Sequence, residues 1–284
     1  MLVENLKHIT IWYYNPVESV KLMIQEHYDT PEYDNTLFIL NLYWVGNDVH
    51  ENLSNKYKKI IYYNLEHKIS IETHKEHWYN NDMQFLIGLY NLGMTEMWSM
   101  DYESEFALMA YDTYNIPIKY VPVRYTTLIK QVPNIYKTPK TIDCCHVGTL
   151  SCPHRGEIIQ SIENNFQAVS FKFITSTSNL SQCIPEMNTS KFIIDTLRDN
   201  AMLSQNQVRI FELLCMGYTV CVEKCSINMF PGLIYEWETV NDLYNIIKRE
   251  EYLHPTEAYK EMTYTDEAYE KYVNKLIEQW NTLG

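Results

Sequence analysis

The stretch VRIFELLCMGYTVCVEKC, residues 208–225, gives the clearest indication of the fold. Apolar residues recur at helical spacing as far as Met216, and Gly217 is the residue type that favours a helix C-terminus. YTVCVE (218–223) is then a short apolar run typical of a buried strand. A helix that leads through a glycine into a buried strand is the repeating unit of an α/β protein with a parallel sheet.

The same alternation of short apolar runs and longer amphipathic segments extends along the chain, and it predicts two doubly wound sheets. Strands are predicted over 8–14, 36–45, 58–65, 96–100, 116–123, 141–148, 169–175, 191–197 and 218–223. Helices are predicted from Pro16 and over 78–93, 103–114, 154–165, 208–216, 239–249 and 265–283.

A proline-bearing polar segment, KQVPNIYKTPKT (130–141), is the predicted linker between two domains. All cysteines lie beyond it, so composition also changes there. We expect domains over 1–132 and 141–262, followed by a C-terminal helix within 263–284 that packs back on the first domain.

The composition predicts an acidic cytoplasmic protein. Lys and Arg number 23 against 36 Asp and Glu, a net charge of −13, which argues against a nucleic-acid partner. No run approaches the ~20 apolar residues of a membrane span. The odd count of 7 Cys, with no signal-peptide pattern at the N-terminus, indicates free thiols in a reducing compartment.

The segment CCHVGTLSCPHRGEII (144–159) is a candidate anion site, because a strand ends at Gly148 and a helix begins near Pro153. Helix N-termini bind anions, and Arg155 in the first turn could add a charged contact. An ordinary β–α turn with a solvated arginine is the alternative. The cysteines and histidines here also suggest a metal, but neighbouring strand residues point to opposite faces and no second pair has zinc-knuckle spacing, which favours buried free thiols and no metal.

Arg209 and Glu212 share a face of the helix in 208–216 and allow two interpretations. They form a surface ion pair, or the arginine meets a phosphate while the carboxylate binds a ribose diol. In the first half, Glu66, His67 and Asp101 follow predicted strands and are candidates for a general base.

Several segments, taken in order, resemble the carboxyl-terminal domain of GT-B-fold glycosyltransferases, especially the CgeB-like, group 1-type family. They are HVGTLSCPHRGEIIQSI (146–162), FIIDTL (192–197), VRIFELLCMGYTVCVEKC (208–225) and FPGLIYEWETVNDLYNII (230–247). In the first half, IIYYNLEH (60–67) and the segment 96–125 are similar to other segments of these enzymes. The resemblance implies a GT-B-like fold, with two Rossmann-type doubly wound domains facing a cleft and a C-terminal helix returning to the first domain.

By position, the resemblance implies that Gly148, Thr149 and Arg155 face the donor diphosphate, that Arg209 adds to this contact and that Glu212 holds the ribose. Two further residues, Thr196 and Glu223, occupy donor-site positions.

The sequence departs from the family pattern at two places. Ser204 stands where many of these enzymes have a glutamate, eight residues before the ribose-binding one, and Asp195-Thr196 stands where an asparagine is common.

The activity implied by the resemblance is transfer of a sugar from a nucleotide-diphosphate donor to a hydroxyl acceptor on a glycan, a protein or a small molecule, without a metal or cofactor. Transfer to a modified DNA base, as some viral glycosyltransferases perform, is the alternative within the class. A non-catalytic nucleotide-binding protein on the same scaffold is the alternative from another class, and a structural interaction protein is a third.

Overall fold

The structure, a computed structural model, describes residues 2–13, 17–40, 52–65, 79–102, 104–132, 135, 137–148, 153–166, 168–175, 183–197, 202–249 and 251–283. The chain divides into two compact units, Met1–Val123 and Arg124–Gly284. Each unit is a mixed α/β structure with its own sheet. No helix in the described part of the chain combines the length and apolar character that a membrane span requires.

The first unit contains a six-stranded sheet in the order β1-β2-β3-β4-β5-β6. Its elements are β1 (Leu2–Asn5), β2 (Ile9–Tyr13), α1 (Glu18–Tyr28), a short 3-10 helix (Pro31–Tyr33), β3 (Thr36–Leu40), β4 (Lys59–Asn64), α2 (Tyr79–Leu92), β5 (Glu96–Ser99), α3 (Glu105–Tyr114) and β6 (Ile118–Tyr120). The first strand is antiparallel to the second, and the others run parallel. Each strand lies beside its predecessor, so the described sheet lacks the reversal of a doubly wound order that we expected here.

The core of the first unit follows from the alternation of side chains along β3. Leu37 joins the apolar cluster that includes Phe85 of α2. Phe38 points the other way, into an aromatic cluster with Tyr28 and Trp98, whose ring centroids lie 6.2 and 5.1 Å from its own. Both faces of this strand are therefore buried, which explains why its sequence is a continuous apolar run and not an alternating one.

The second unit contains a five-stranded parallel sheet in the order β11-β10-β9-β7-β8. Its elements are β7 (Ile142–Gly148), α4 (Pro153–Asn165), β8 (Phe171–Thr175), α5 (Ile184–Met187), β9 (Ser190–Asp195), α6 (Gln207–Met216), β10 (Val220–Glu223), β11 (Tyr235–Trp237), α7 (Val240–Arg249), α8 (Pro255–Thr263) and α9 (Asp266–Asn281). The strand that follows β7 in the chain lies on one side of it and β9 lies on the other, so the order reverses between β7 and β9. The predicted parallel sheet is confirmed in this half.

The stretch that predicts the fold forms α6 and β10. Asn206 caps the helix by accepting a hydrogen bond from the backbone N–H of Arg209 at 3.4 Å. Gly217 ends it with φ of 98°, and its N–H donates to the carbonyls of Leu213 and Leu214. The chain therefore leaves the helix in a left-handed conformation that only glycine adopts at little cost.

The second unit begins before the predicted linker, because Arg124 fastens this part of the chain to the α8–α9 corner. The Arg124 side chain is buried, and it donates to the backbone carbonyl of Thr263 at 3.0 Å and to that of Tyr264. It also pairs with Asp266 at 2.9 Å. Carbonyls at a helix C-terminus lack partners within the helix, and the guanidinium group supplies them.

The C-terminal helix α9 belongs to the second unit. The Tyr272 hydroxyl donates to the backbone carbonyl of Met229 at 2.8 Å, and the Gln279 side chain accepts from the N–H of Asn228 at 3.2 Å. These contacts hold the helix to its own unit, and its predicted packing on the first domain stays a prediction.

We expect Gly217→Ala to lower the free energy of unfolding by about 1–2 kcal/mol, because a side chain disfavours the left-handed conformation. Gly156 lies within α4, and a Cβ there would meet nothing within 4 Å. Gly156→Ala should therefore raise the free energy of unfolding by about 0.5–1 kcal/mol. Urea denaturation of both variants checks the opposite signs; equal effects would contradict the assigned helix end.

We expect Arg124→Lys to lower the free energy of unfolding by about 3 kcal/mol, because an ammonium group cannot reach both carbonyls with the geometry of a guanidinium group. Asp266→Asn is the matched control, because the Asp266 side chain is 97% exposed and its ion pair contributes little. Comparable losses in the two variants, measured by urea denaturation, would show that the ion pair and not the carbonyl contacts dominates.

Candidate functional site

The reversal between β7 and β9 marks the place where a ligand site is expected. In open α/β sheets, ligands bind outside the carboxyl ends of the strands at such a switch point. Gly148 ends β7 and Asp195 ends β9. Six residues at this edge form what we call the switch-point site: His146, Gly148, Arg155, Asp195, Thr196 and Arg209.

Arg209 reaches from α6 to the end of β9. Its Nη1 atom lies 2.8 Å from Oδ1 of Asp195, whose side chain is fully buried. The Arg209 side chain itself is 23% exposed. The ion pair therefore fixes one side of the guanidinium group and leaves part of it accessible. The sequence suggested Glu212 or a phosphate as the partner of Arg209, and it did not predict Asp195.

Arg155 approaches the same edge from the first turn of α4. Its Nε donates to the Thr196 hydroxyl at 3.2 Å, and Nη2 lies 3.4 Å from the Thr196 carbonyl. The arginine is buried, so it is not the solvated side chain of an ordinary turn. Two of the predicted donor-site residues are thus in direct contact.

Gly148 lies against the Arg209 guanidinium group. A Cβ atom at this position would lie 3.6 and 3.7 Å from the two terminal nitrogens of Arg209, and 3.1 Å from Nε2 of His146. The last of these distances is tighter than ordinary van der Waals contact. The absence of a side chain at Gly148 therefore leaves room between the arginine and the histidine.

His146 is fully buried beneath this space, and its ring stacks on Phe173 with a centroid distance of 5.6 Å. Burial lowers the pKa of His146 to about 4; the Asp195 carboxylate opposes this shift, while Arg209 and Arg155 add to it. The imidazole is therefore neutral at pH 7.

Glu223 joins three elements at this edge. One carboxylate oxygen lies 2.8 Å from Nε2 of His154 in α4, and the other accepts from the backbone N–H of Leu197 at 2.9 Å. Glu223 itself ends β10. These contacts hold the start of α4 beside the chain that leaves β9, so Glu223 acts here as a positioning residue.

The remaining predicted donor residues are placed as follows. Glu212 lies three residues after Arg209 in α6 and is half-buried. Thr149 lies outside the described residues. Ser204 is fully buried and its backbone bridges to that of Ile227, so a serine and not a carboxylate occupies this position.

Of the three candidate bases, Glu66 and His67 lie outside the described residues. Asp101 follows β5 in the first unit and is fully buried, and its backbone carbonyl accepts a hydrogen bond from the Ser99 hydroxyl at 2.7 Å. Its role as a base stays a prediction.

The described cysteines are buried free thiols, as predicted: Cys144, Cys145, Cys183, Cys215, Cys221 and Cys225. Burial raises the pKa of Cys145 to about 12 and that of Cys144 further still, which leaves both as unreactive thiols. Within the described ranges, no three His, Cys, Asp or Glu side chains come together as metal ligands.

Comparison of the sequence with models of known protein families finds no match, and comparison with curated proteins finds none either. A function for the switch-point site therefore depends on its own geometry together with the resemblance of the segments named above.

The low pKa of His146 predicts a pH-dependent stability. As pH falls from 6.5 towards about 4, the unfolded chain takes up a proton that the folded chain excludes. The free energy of unfolding is therefore highest above pH 6.5 and falls between pH 6.5 and about 4. The total loss, reached below pH 4, is on the order of 3 kcal/mol. Urea denaturation at pH 7 and pH 4.5 should show a smaller loss in His146→Asn than in the wild type. An equal loss in both would contradict the neutral buried imidazole.

Proposed function

We propose that the second unit binds the diphosphate of a nucleotide sugar at the switch-point site and that the protein transfers the sugar to a hydroxyl acceptor. The observation that carries the proposal is the approach of two arginines, Arg155 and Arg209, to the carboxyl ends of β7 and β9 beside a glycine. Each guanidinium group is held by a neighbour, Thr196 or Asp195, so the positive charges are oriented before a ligand arrives.

The chemistry that this arrangement supports is departure of a diphosphate. The acceptor oxygen attacks the anomeric carbon, the bond from that carbon to the diphosphate oxygen breaks, and its electron pair goes to the leaving diphosphate. Arg155 and Arg209 stabilise the negative charge that develops there. If the reaction inverts the configuration at the anomeric carbon, the acceptor proton goes to a base, for which Glu66, His67 and Asp101 are our candidates. Glu212 holds the donor ribose.

A thermal-shift screen of UDP, GDP, ADP and TDP, each with and without a sugar attached, tests the proposal. At a nucleotide concentration 100 times Kd, binding stabilises the folded protein by about 2.7 kcal/mol. Arg209→Lys keeps the charge that Asp195 requires but loses the fork geometry, and we expect it to weaken nucleotide binding about 10-fold. We expect a similar loss in Arg155→Lys.

Arg249→Lys is the matched control, because Arg249 is exposed near the end of α7. It should bind the nucleotide like the wild type. Unchanged affinity in both the Arg155 and Arg209 variants, or no stabilisation of the wild type by any of the four nucleotides, would overturn the donor-site assignment.

A non-catalytic nucleotide-binding protein is the second candidate, and the buried Ser204 favours it. Many enzymes that the sequence resembles carry a carboxylate at this position, and here the side chain is a fully buried hydroxyl. This candidate predicts stabilisation by a nucleoside diphosphate without release of that diphosphate from any nucleotide sugar. Measured turnover, towards water or an acceptor, would exclude it.

A further inference from the structure

The switch-point site contains two buried acceptor atoms without hydrogen-bond partners among the described residues: Nε2 of His146 and Oδ2 of Asp195. Both side chains are fully buried. Buried polar atoms are almost always hydrogen-bonded, because leaving one unpaired costs its full desolvation. Two such atoms at one site therefore point to a partner that completes them.

The protonation of His146 follows from its other contact. Nδ1 lies 2.9 Å from the backbone carbonyl oxygen of Ile194. A carbonyl oxygen only accepts, so Nδ1 carries the proton and donates it. Since burial lowers the pKa of this residue to about 4, the ring is neutral and Nε2 offers a bare lone pair.

Asp195 has a similar division between its two oxygens. Oδ1 is engaged by Nη1 of Arg209 at 2.8 Å, and Oδ2 is the atom left without a partner. Like Nε2 of His146, an ionised carboxylate oxygen only accepts. These two atoms cannot satisfy each other, and both require a donor.

The space beside Nε2 of His146 is the one that Gly148 leaves open. The point that its Cβ would occupy lies 3.1 Å from Nε2 of His146 and 3.6 Å from Nη1 of Arg209, which in turn contacts Asp195. A cation is disfavoured there because the guanidinium group of Arg209 is adjacent. A phosphate group ionised at pH 7 carries acceptor oxygens and leaves both atoms unpaired.

We propose that His146 and Asp195 accept hydrogen bonds from hydroxyl groups of the bound ligand, so that the site recognises the sugar part of a nucleotide or nucleotide sugar beside its diphosphate. This inference rests on the proposed function and assigns to these two residues a specificity that the arginines do not provide. The arginines bind the anion, and the two acceptors select a ligand that carries hydroxyl donors next to it. Ribose and the transferred sugar share this chemistry.

The test compares the affinities of variants for ligands with and without hydroxyl groups, by isothermal titration calorimetry. His146→Asn keeps a donor for the Ile194 carbonyl and removes the acceptor at Nε2. Asp195→Asn puts an amide in place of the carboxylate, so that the position of Oδ2 is taken by an NH2 donor or by an uncharged carbonyl oxygen. The ligands are inorganic pyrophosphate, whichever of UDP, GDP, ADP and TDP stabilises the wild type most, its 2′,3′-dideoxy analogue, and its nucleotide sugar.

We expect His146→Asn to bind at least one hydroxyl-bearing ligand about 10- to 100-fold more weakly than the wild type, with little change for pyrophosphate. Asp195→Asn also weakens the hold on Arg209, so we expect it to lose affinity for pyrophosphate as well, but to lose more for that hydroxyl-bearing ligand. A loss with the nucleoside diphosphate but not with its dideoxy analogue assigns the contact to ribose. A loss confined to the nucleotide sugar assigns it to the transferred sugar. His146→Gln, which returns an acceptor near the position of Nε2, should restore part of the affinity.

Two controls separate folding and surface-charge effects from recognition. Asp112→Asn removes an exposed carboxylate of α3 in the first unit and should bind every ligand like the wild type. Thermal melting of the ligand-free variants shows that they are folded.

Two results would overturn the inference while the proposed function stands. Equal weakening for pyrophosphate and for the hydroxyl-bearing ligands would make both residues purely structural. Unchanged affinities throughout would mean that bound water alone completes the two acceptors. A wild type that binds none of the four nucleotides would instead overturn the proposed function, and this inference with it.

Discussion

The ion pair between Arg209 and Asp195 is the interaction on which the ligand edge of the second sheet depends. Asp195 is fully buried at the end of β9, and a buried carboxylate is stable only with a partner. Arg209 supplies that partner from α6, whose ends are set by the Asn206 cap and by Gly217. Loss of the arginine would leave an uncompensated buried charge, at a cost of about 3–5 kcal/mol.

The pair also decides what the edge can bind. Because Asp195 holds the guanidinium group from one side, Arg209 lies against the backbone of Gly148 with part of its surface accessible. Arg155 is held in the same way by Thr196, and Glu223 fixes the helix that carries Arg155. The edge therefore presents positive charge in a fixed orientation, as the diphosphate binding that we propose requires.

The polar groups of this edge fall into two sets with different physical roles. Arg155 and Glu223 have their hydrogen bonds completed within the chain, so they give the edge its shape. His146 and Asp195 each keep one buried acceptor atom without a partner among the described residues. Natural proteins tolerate such local inconsistency mainly at functional sites, where a ligand completes the network.

Much of this arrangement could be predicted from the sequence, and the errors have identifiable causes. Gly148, Arg155 and Arg209 were expected at one site because of the resemblance to GT-B-fold glycosyltransferases, whereas spacing alone left Arg209 open to a surface ion pair with Glu212. His146 was instead interpreted as part of a cysteine and histidine cluster, since Ile194, which accepts its hydrogen bond, is remote in sequence. The sequence did not predict β1, the 3-10 helix, α5, β11 and α8. These elements are short, and their positions depend on tertiary contacts more than on an apolar period.

The sequence by itself determined the helix–glycine–strand unit at 207–223, because helical spacing, a side-chain cap and a residue suited to positive φ are local properties. It also determined which residue types stand at the strand ends. Only the tertiary structure decided their partners: Arg209 with Asp195, Arg155 with Thr196, and His146 with Ile194, which are 14, 41 and 48 residues apart. The physical reason is strand order, since β7 and β9 become neighbours through long-range packing that no local pattern encodes.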